Sequence, residues 1–391
     1  MTAMGPELVT IGLSAAGLFV HCGSALIVAT RVNRREAPVP PSFRPKVSLV
    51  RPVCGLEYRI DDAIASSFGL SYPDVEIVFC VEEENDPAVE VVRRLIAAHP
   101  TADARLVVGR DIVGANPKLN NVIKGWFGST GEFVIISDSN ALLPETYVED
   151  LLSRWQDDTG VASHAAIMVD PGNFAAEIEC AFLNSYQGRW ALAGDSIGRR
   201  YALGKTLMWQ RRTLDALGGP AVLAREAAED IASTKVLRGT GLRPRLARKP
   251  LPQPIGPRSF STVWRRQVRW ARLRRAGLGG IYGAEALAGA AIPFAATAAL
   301  AVAGVLPWLL VLAYVAAWYA AEAALTAAAR WPLSWRMPLA WILRDTLTPV
   351  VWLLGWGNRF EWRGVQMSVR SLKGPAGGTP PGSGEEAASR G

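Results

Sequence analysis

Residues 8–30, LVTIGLSAAGLFVHCGSALIVAT, contain no Asp, Glu, Lys or Arg, and no other feature constrains the fold of this chain as strongly. Backbone amides in hydrocarbon must be satisfied within their own segment, so a run of this length reads as one helix able to cross a bilayer. RVNRR follows at once, whereas the only charge before the run is Glu7. A secretory signal carries its basic end first, so the order of charges favours an uncleaved anchor over residues 1–30. The basic flank would then keep the following residues in the cytoplasm.

A second apolar region covers 285–357, with candidate spans near 287–306, 308–328 and 338–357. The third contains Arg344 and Asp345, which are costly in lipid unless paired or turned toward protein, so it reads equally as re-entrant or interfacial. Three full crossings would also place NRFEWRGVQMSVRSLKG outside, against the preference of its Arg and Lys residues for the cytoplasm. The side of the C-terminus therefore stays open. The tail at 374–391 has the composition of a disordered segment.

The net charge of +7 is local. Residues 243–275 hold eleven Arg or Lys and no acid, so the rest of the chain carries a net −4. This argues against a general nucleic-acid binder and for a cationic strip beside a membrane. Cys22, Cys54, Cys80 and Cys180 are scattered and there are only three His, so neither a disulfide framework nor a zinc site is indicated.

Between 45 and 165, short β-branched runs alternate with helical patterns, as a mostly parallel sheet flanked by helices requires. Strands are predicted at VSLVRPV, EIVFCVE, ARLVVG, FVIISD and GVASHAA. Helices are predicted at 57–69, 86–99, 117–127 and 144–156. Ligands of such sheets bind beyond the carboxyl ends of the strands, which singles out residues 52–57, 82–86 and 138–140. There is no G-x-G-x-x-G fingerprint and no Walker loop.

Asp138 closes an apolar strand, and one carboxylate can hold Mg²⁺ or Mn²⁺ when phosphates and water complete the shell. Its other reading is an Asx-turn capping a helix that starts at Pro144. Glu229 and Asp230 lie in a helical pattern, either as a solvated face or with Asp230 as a general base; adjacent helical residues diverge too far for both to point at one acceptor. NPKLNN places Lys118, Asn120 and Asn121 at a helix start, as ligand contacts or as caps. In VWRRQVRWARLRR, Arg265, Arg269 and Arg272 form a basic stripe suited to anionic lipid. Arg266, Arg269 and Trp270 form R-x-x-R-W, where guanidiniums can grip a diphosphate and an indole can wall an acceptor site.

With Asp138, Glu229-Asp230 and R-x-x-R-W in this order, followed by apolar spans, the sequence resembles the ceramide glucosyltransferases, glycosyltransferase family 21. The likeness covers roughly 45–275 through VSLVRPVCGLE, YPDVEIVFCVEEENDPAVEVVRRL, ARLVVG, NPKLNN, ISDSN, LDALGG, AED and RRQVRW. ECAFLNSYQGRW, GPRSF and RQVRWARLRR look most like the bacterial branch.

The resemblance implies an α/β fold of the GT-A nucleotide-sugar transferase type. The domain would occupy 45–250, followed by a basic interfacial helix region at 255–283. It implies a catalytic domain on the cytoplasmic face of a bacterial inner membrane, moving glucose from UDP-glucose to the primary hydroxyl of ceramide with inversion. Carried over by position, Asp138 would be associated with the divalent cation and Asp230 would be the base. Arg266, Arg269 and Trp270 would serve diphosphate and acceptor. Lys118 joins the donor contacts, and Glu83 falls where the family places an Asp near the nucleotide. Glu83 lengthens that arm, and Gln187 stands where animal members have His. Asn140 in place of a second carboxylate is a trait the family shares. The sequence does not choose between UDP-glucose and UDP-galactose as donor. Alternatives are N-acetylglucosamine transfer to a hopanoid polyol, a processive polysaccharide synthase, or an inactive membrane protein that binds a nucleotide sugar or lipid.

Overall fold

The computed structural model of the chain describes residues 5–35, 39, 43–114, 116–362 and 365–369; the tail read as disordered lies outside the described residues. Nine strands build its central part: β1 (Val47–Pro52), β2 (Val75–Val81), β3 (Ala104–Val108), β4 (Phe133–Ser137), β5 (Thr159–Ser163), β6 (Ala166–Pro171), β7 (Thr206–Gln210), β8 (Arg243–Leu246) and β9 (Leu251–Gly256). Seven form one sheet in the order β3-β2-β1-β4-β7-β5-β8, and β6 pairs with β9 beside it. The four strands β1 to β4 are mutually parallel, and β7 runs antiparallel between β4 and β5. That insertion brings the start of β7 to the end of β4.

The strands are apolar on both faces because helices cover both. Val47, Leu49, Ile77, Phe79, Phe133 and Ile135 pack toward α2 (Ile60–Ala65), α3 (Ala88–Ala98) and α5 (Tyr147–Leu152). Their alternates Val50, Val78, Cys80, Val134 and Ile136 pack toward α4 (Pro117–Phe127). The predicted bounds of α4 agree with the structure, since Asn116 caps it by accepting from the Lys118 and Leu119 amides and Pro117 suits the first turn. The helix predicted at 144–156 is shorter. Pro144 instead accepts from the Tyr147 amide in a turn, and Leu142 bonds to Pro252 of β9, so the residues after Asp138 stay in a pinned loop.

α6 (Phe174–Phe182) continues through a π-helical stretch, Leu183–Gly188, into α7 (Arg189–Ser196). α8 (Arg211–Ala216) and α9 (Glu229–Val236) complete the globular part. α10 (Phe260–Leu278) packs on α6, burying Val263, Val268 and Ala271. Two arginines of its basic side are committed to protein: Arg272 donates to the Leu354 and Arg359 carbonyls, and Arg275 to Gly357 O and Asn358 Oδ1. Arg265 is exposed.

α1 (Gly5–Asn33) and α13 (Trp308–Ala328) are long and apolar enough to cross a membrane. Leu8, Phe19 and Leu26 on the first and Leu309 and Leu312 on the second point outward. A water-soluble surface rarely exposes so much continuous apolar area, and the chain is membrane-associated. The region read as one span near 287–306 is a bent pair: α11 (Ile281–Ala284) with its 3₁₀ extension meets α12 (Ala291–Val302) at 53°. α12 alone rises about 18 Å, short of a hydrocarbon core of about 30 Å.

α14 (Met337–Leu354) is not among the long apolar candidates, and its charges are paired against protein. The Arg344 guanidinium, 1% exposed, donates to both oxygens of Glu322 at 2.6 and 2.9 Å and to both of Asp345 at 2.9 Å. It also reaches Ser185 Oγ and the Ala181 carbonyl. At the other end of the helical layer, Arg31 of α1 donates to Asp195 Oδ2 at 2.8 Å and to the Leu246 and Ala247 carbonyls at 2.9 Å. The basic flank of the first apolar helix is thus partly buried in the sheet domain.

Breaking one side of the Arg344 cluster strands a buried charge, which typically costs about 3–5 kcal/mol. Arg344→Met, which strands the Glu322 and Asp345 carboxylates, is expected to lower the unfolding temperature of the detergent-solubilised chain, read by tryptophan fluorescence. The triple variant Glu322→Met, Arg344→Met, Asp345→Leu should recover part of the loss, because none of the three buried charges then remains without its partner.

Candidate active site

The site forms where β4 ends. Asp138 follows its last residue, and the antiparallel pairing that sets Thr206 opposite Ser137 runs one step further, with the Asp138 amide donating to the Lys205 carbonyl at 3.1 Å. Lys205 therefore faces Asp138 across the strand pair. The loop after β4 is held from below by Arg51, a fully buried residue of β1 whose Nη2 donates to the Asp138 and Ala141 carbonyls at 2.8 and 2.9 Å. Burial lowers the Arg51 pKa to about 10, which leaves it charged at neutral pH.

Asp138 is bracketed by two ammonium groups, Lys118 Nζ at 2.6 Å from Oδ1 and Lys205 Nζ at 2.8 Å from Oδ2. Burial alone would raise its pKa; the two lysines overcome that and hold it well below the usual carboxylate range. Its side chain is thus taken up by cations, and the Asx-turn reading does not describe what it does.

Lys118 stands in the first turn of α4 and also donates to Glu229 Oε1 at 2.5 Å and to the Gly204 carbonyl at 2.9 Å. Glu229 takes a second bond from Asn116 Nδ2 at 3.1 Å. The Glu-Asp pair at the start of α9 is thereby divided: Glu229 turns into the protein, and Asp230 accepts from the Gly204 amide at 3.2 Å and the Ile231 amide at 2.8 Å. Gly204 lies against both carboxylates. A Cβ there would come within 3.1 Å of Glu229 Oε1 and 3.5 Å of Asp230 Oδ2, so a side chain would press on the pair.

Among the described residues, no basic side chain is bonded to Asp230. Burial and the adjacent Glu229 charge push its pKa up to about 6 against the opposing pull of the two amides and Lys118. A carboxylate poised near 6 is ionised at neutral pH yet basic enough to accept a proton, the property a general base needs.

The remaining sequence candidates lie apart from this cluster. Glu83 is exposed on the loop after β2. Arg266 donates to Glu179 Oε1 at 2.7 Å and stacks over Trp270 at 5.0 Å, while Arg258 lies 3.6 Å from the other oxygen of Glu179. Glu179 is fully buried on α6. Arg269 is half-buried on the same face region of α10. The far end of that helix approaches the site: a Cβ on Gly277 would stand 3.0 Å from Ile231, the neighbour of Asp230.

Sequence reasoning missed Lys205, Arg51, Gly204 and Glu179. Lys205 precedes the apolar run TLMWQ, so a strand assignment extended past residue 165 would have marked it as a strand-end residue. A Glu inside the apolar helix FAAEIECAF and an Arg inside VSLVRP are the corresponding signals for the other two charged groups.

The donor set suits a hard divalent ion. Asp138 Oδ2 and Asn140 Oδ1 converge on the same ammonium, Lys205 Nζ, at 2.8 and 3.1 Å. Among the described residues no group of three or more His, Cys, Asp or Glu could hold a metal. A cation here would therefore draw Asp138 and Asn140 from the protein and the rest of its shell from phosphate and water.

The model of glycosyl transferase family 21 matches residues 14–374. Ceramide glucosyltransferase 1 of Caenorhabditis elegans is 28% identical over 257 residues, 65% of this chain and 55% of that protein. The ceramide glucosyltransferase of Komagataella phaffii is 36% identical over 127 residues, 32% of this chain and 25% of that protein. The chain thus spans about half the length of the nematode relative, and less of the yeast one. Among solved structures, the mannosyltransferase PcManGT from Pyrobaculum calidifontis, in complex with GDP-Man and Mn²⁺, superposes with a TM-score of 0.50 at 21% identity, covering 88% of this chain and 99% of that one. That likeness is one of fold, the GT-A type of glycosyltransferase with a mixed, mostly parallel sheet. Since the match to the family model runs from within the first apolar helix to beyond β9 and the last helix, the chain belongs to glycosyl transferase family 21.

Proposed function

We propose that the chain is an inverting glycosyltransferase that moves a hexose, glucose in the first instance, from a UDP-sugar to the primary hydroxyl of ceramide. The observation that carries this reading is the division of labour at the end of β4. Two lysines sit on Asp138, while Asp230 has no cationic partner among the described residues and a pKa raised to about 6. The names of the curated relatives supply the acceptor class.

In this reading Asp230 takes the proton of the acceptor hydroxyl as its oxygen attacks the anomeric carbon. The bond from that carbon to the β-phosphate oxygen breaks on the opposite side, and UDP leaves with the bonding pair. Lys205 and Lys118, both on Asp138, are assigned to the charge that gathers on the leaving diphosphate, and Arg51 keeps the loop bearing Asp138 in place. A Mg²⁺ or Mn²⁺ ion held by Asp138 would add Lewis-acid neutralisation of the leaving group. Arg266, Arg269 and Trp270 are assigned to the acceptor side of the cleft, with Arg266 kept rigid by Glu179. Glu83 is assigned to the uridine end. The apolar helices let a lipid acceptor keep its chains in the bilayer, and a cytoplasmic sheet domain on a bacterial inner membrane fits a soluble nucleotide-sugar donor.

Membranes of a host lacking glycolipids, supplied with UDP-glucose and ceramide, are expected to form monohexosylceramide, identified by mass analysis of the lipids. Replacing the donor by UDP-galactose or UDP-GlcNAc, and the acceptor by a hopanoid polyol, tests the assignment; faster transfer to the hopanoid would move the chain to a different substrate class. Asp230→Asn should abolish product with UDP binding retained, and turnover surviving in that variant would remove Asp230 as the base.

The base acts only when deprotonated, so activity should climb tenfold per pH unit below about 6 and level off above it. Lys118→Met removes a cation that lowers the Asp230 pKa, so its residual activity should have a pH profile displaced to higher pH. Loss of both carboxylate contacts should also cost stability, on the order of 3–5 kcal/mol, seen as a lower unfolding temperature.

A further inference from the structure

The two lysines on Asp138 are not equivalent. Lys118 has three N–H donors and three acceptors, Asp138 Oδ1, Glu229 Oε1 and the Gly204 carbonyl, and its side chain is 11% exposed. It is a saturated joint between α4, β4 and α9. Lys205 has two acceptors, Asp138 Oδ2 and Asn140 Oδ1, and is 17% exposed.

The orientation of Asn140 is fixed, because its Nδ2 donates to Glu57 and only Oδ1 is left for Lys205. A carboxylate oxygen and an oriented amide oxygen thus meet on one small cation. These are the hard oxygen ligands a divalent ion would use, and the ammonium fills the space between them. An ion binding both oxygens would lie well within van der Waals contact of Lys205 Nζ and would face its full charge.

We propose that Lys205 is a built-in occupant of the cation position: its ammonium and a divalent ion exclude one another at Asp138 and Asn140. This rests on the donor-site reading given above. Without donor, the site is internally neutralised and takes up metal weakly. An ion that enters displaces Lys205 from Asp138, and the freed ammonium can then pair with the diphosphate the ion brings. The same side chain thereby keeps Asp138 compensated in the empty enzyme and contributes a positive charge to the loaded one.

The test measures Mn²⁺ binding directly, by loss of the electron paramagnetic resonance signal of free Mn²⁺ on titration with the full detergent-solubilised chain, with no nucleotide present. Wild type is expected to bind weakly. Lys205→Met, and Lys205→Gln as a second variant that can still hydrogen-bond Asp138, should bind about tenfold tighter or better, equivalent to about 1.4 kcal/mol. Adding Asp138→Asn to either should abolish the gain. Equal Mn²⁺ affinity in wild type and both variants would overturn the proposal, as would a gain that survives loss of Asp138. Calorimetry with UDP separates this from the parent reading. UDP binding with unchanged Mn²⁺ affinity overturns the exclusion alone, whereas absence of UDP binding with and without Mn²⁺ overturns the donor site itself.

Discussion

The geometry of the catalytic end of the sheet depends on one ammonium group. Lys118 Nζ is bonded to Asp138 after β4, to Glu229 at the start of α9 and to the carbonyl of Gly204 just before β7. Each of those segments comes from a different part of the chain, and Lys118 supplies one donor to each. With Lys118 in place, the Asp138 and Glu229 side chains are fixed, and Gly204 is turned so that its amide meets Asp230. Asp230, the proposed base, is thus positioned through the backbone of a glycine that the lysine holds from the other side. Its basicity has a different origin: burial and the adjacent Glu229 charge raise the Asp230 pKa, and they outweigh the opposing pull of Lys118 and the two amides.

A second constraint links the sheet to the apolar helices. Guanidiniums do this at both ends of the helical layer: Arg31 enters the edge near β8 from α1, and Arg344 joins α14 to Glu322 of α13 and to the π-helical stretch after α6. An arginine can satisfy several carbonyls and a carboxylate at once, so one residue replaces several weaker contacts. For a chain whose acceptor would lie in a bilayer and whose donor would be dissolved in water, this stiffness has a chemical use. The catalytic groups then keep a fixed relation to the apolar helices, and alignment does not have to be re-established at each encounter.

What was legible in the sequence follows from the range of the interactions concerned. The bounds of α4 could be read because Asn116 and Pro117 act within a single turn. The parallel strands could be read because burial on both faces leaves unbroken apolar runs. Asp138 stood out as a strand-end carboxylate. Lys205 did not, because its meaning depends on β7 lying antiparallel against β4, a pairing between distant segments that no local pattern encodes. The same holds for Glu179, whose pairing with Arg266 exists only once α6 and α10 are packed together. The overlong helix at 144–156 has the opposite cause. Pro144 is a good first-turn residue, but Leu142 is bonded to β9, and that contact keeps the preceding chain extended. Gly204 could not have been chosen among 37 glycines without its neighbours.

The R-x-x-R-W arginines acquire a more limited meaning from their surroundings. Glu179 is fully buried and meets two guanidiniums, Arg266 at 2.7 Å and Arg258 at 3.6 Å. One carboxylate between two arginines leaves a net positive charge at that point, held in one orientation by the stacking of Arg266 on Trp270. A guanidinium tied in this way gives up some of its hydrogen-bonding capacity, yet loses little entropy on meeting an anion. Preorganised charge of this kind favours the state in which negative charge has developed over the one in which it has not. The carboxylate that engages Arg266 is therefore compatible with the proposed role of the motif, through field and position more than through a bidentate grip.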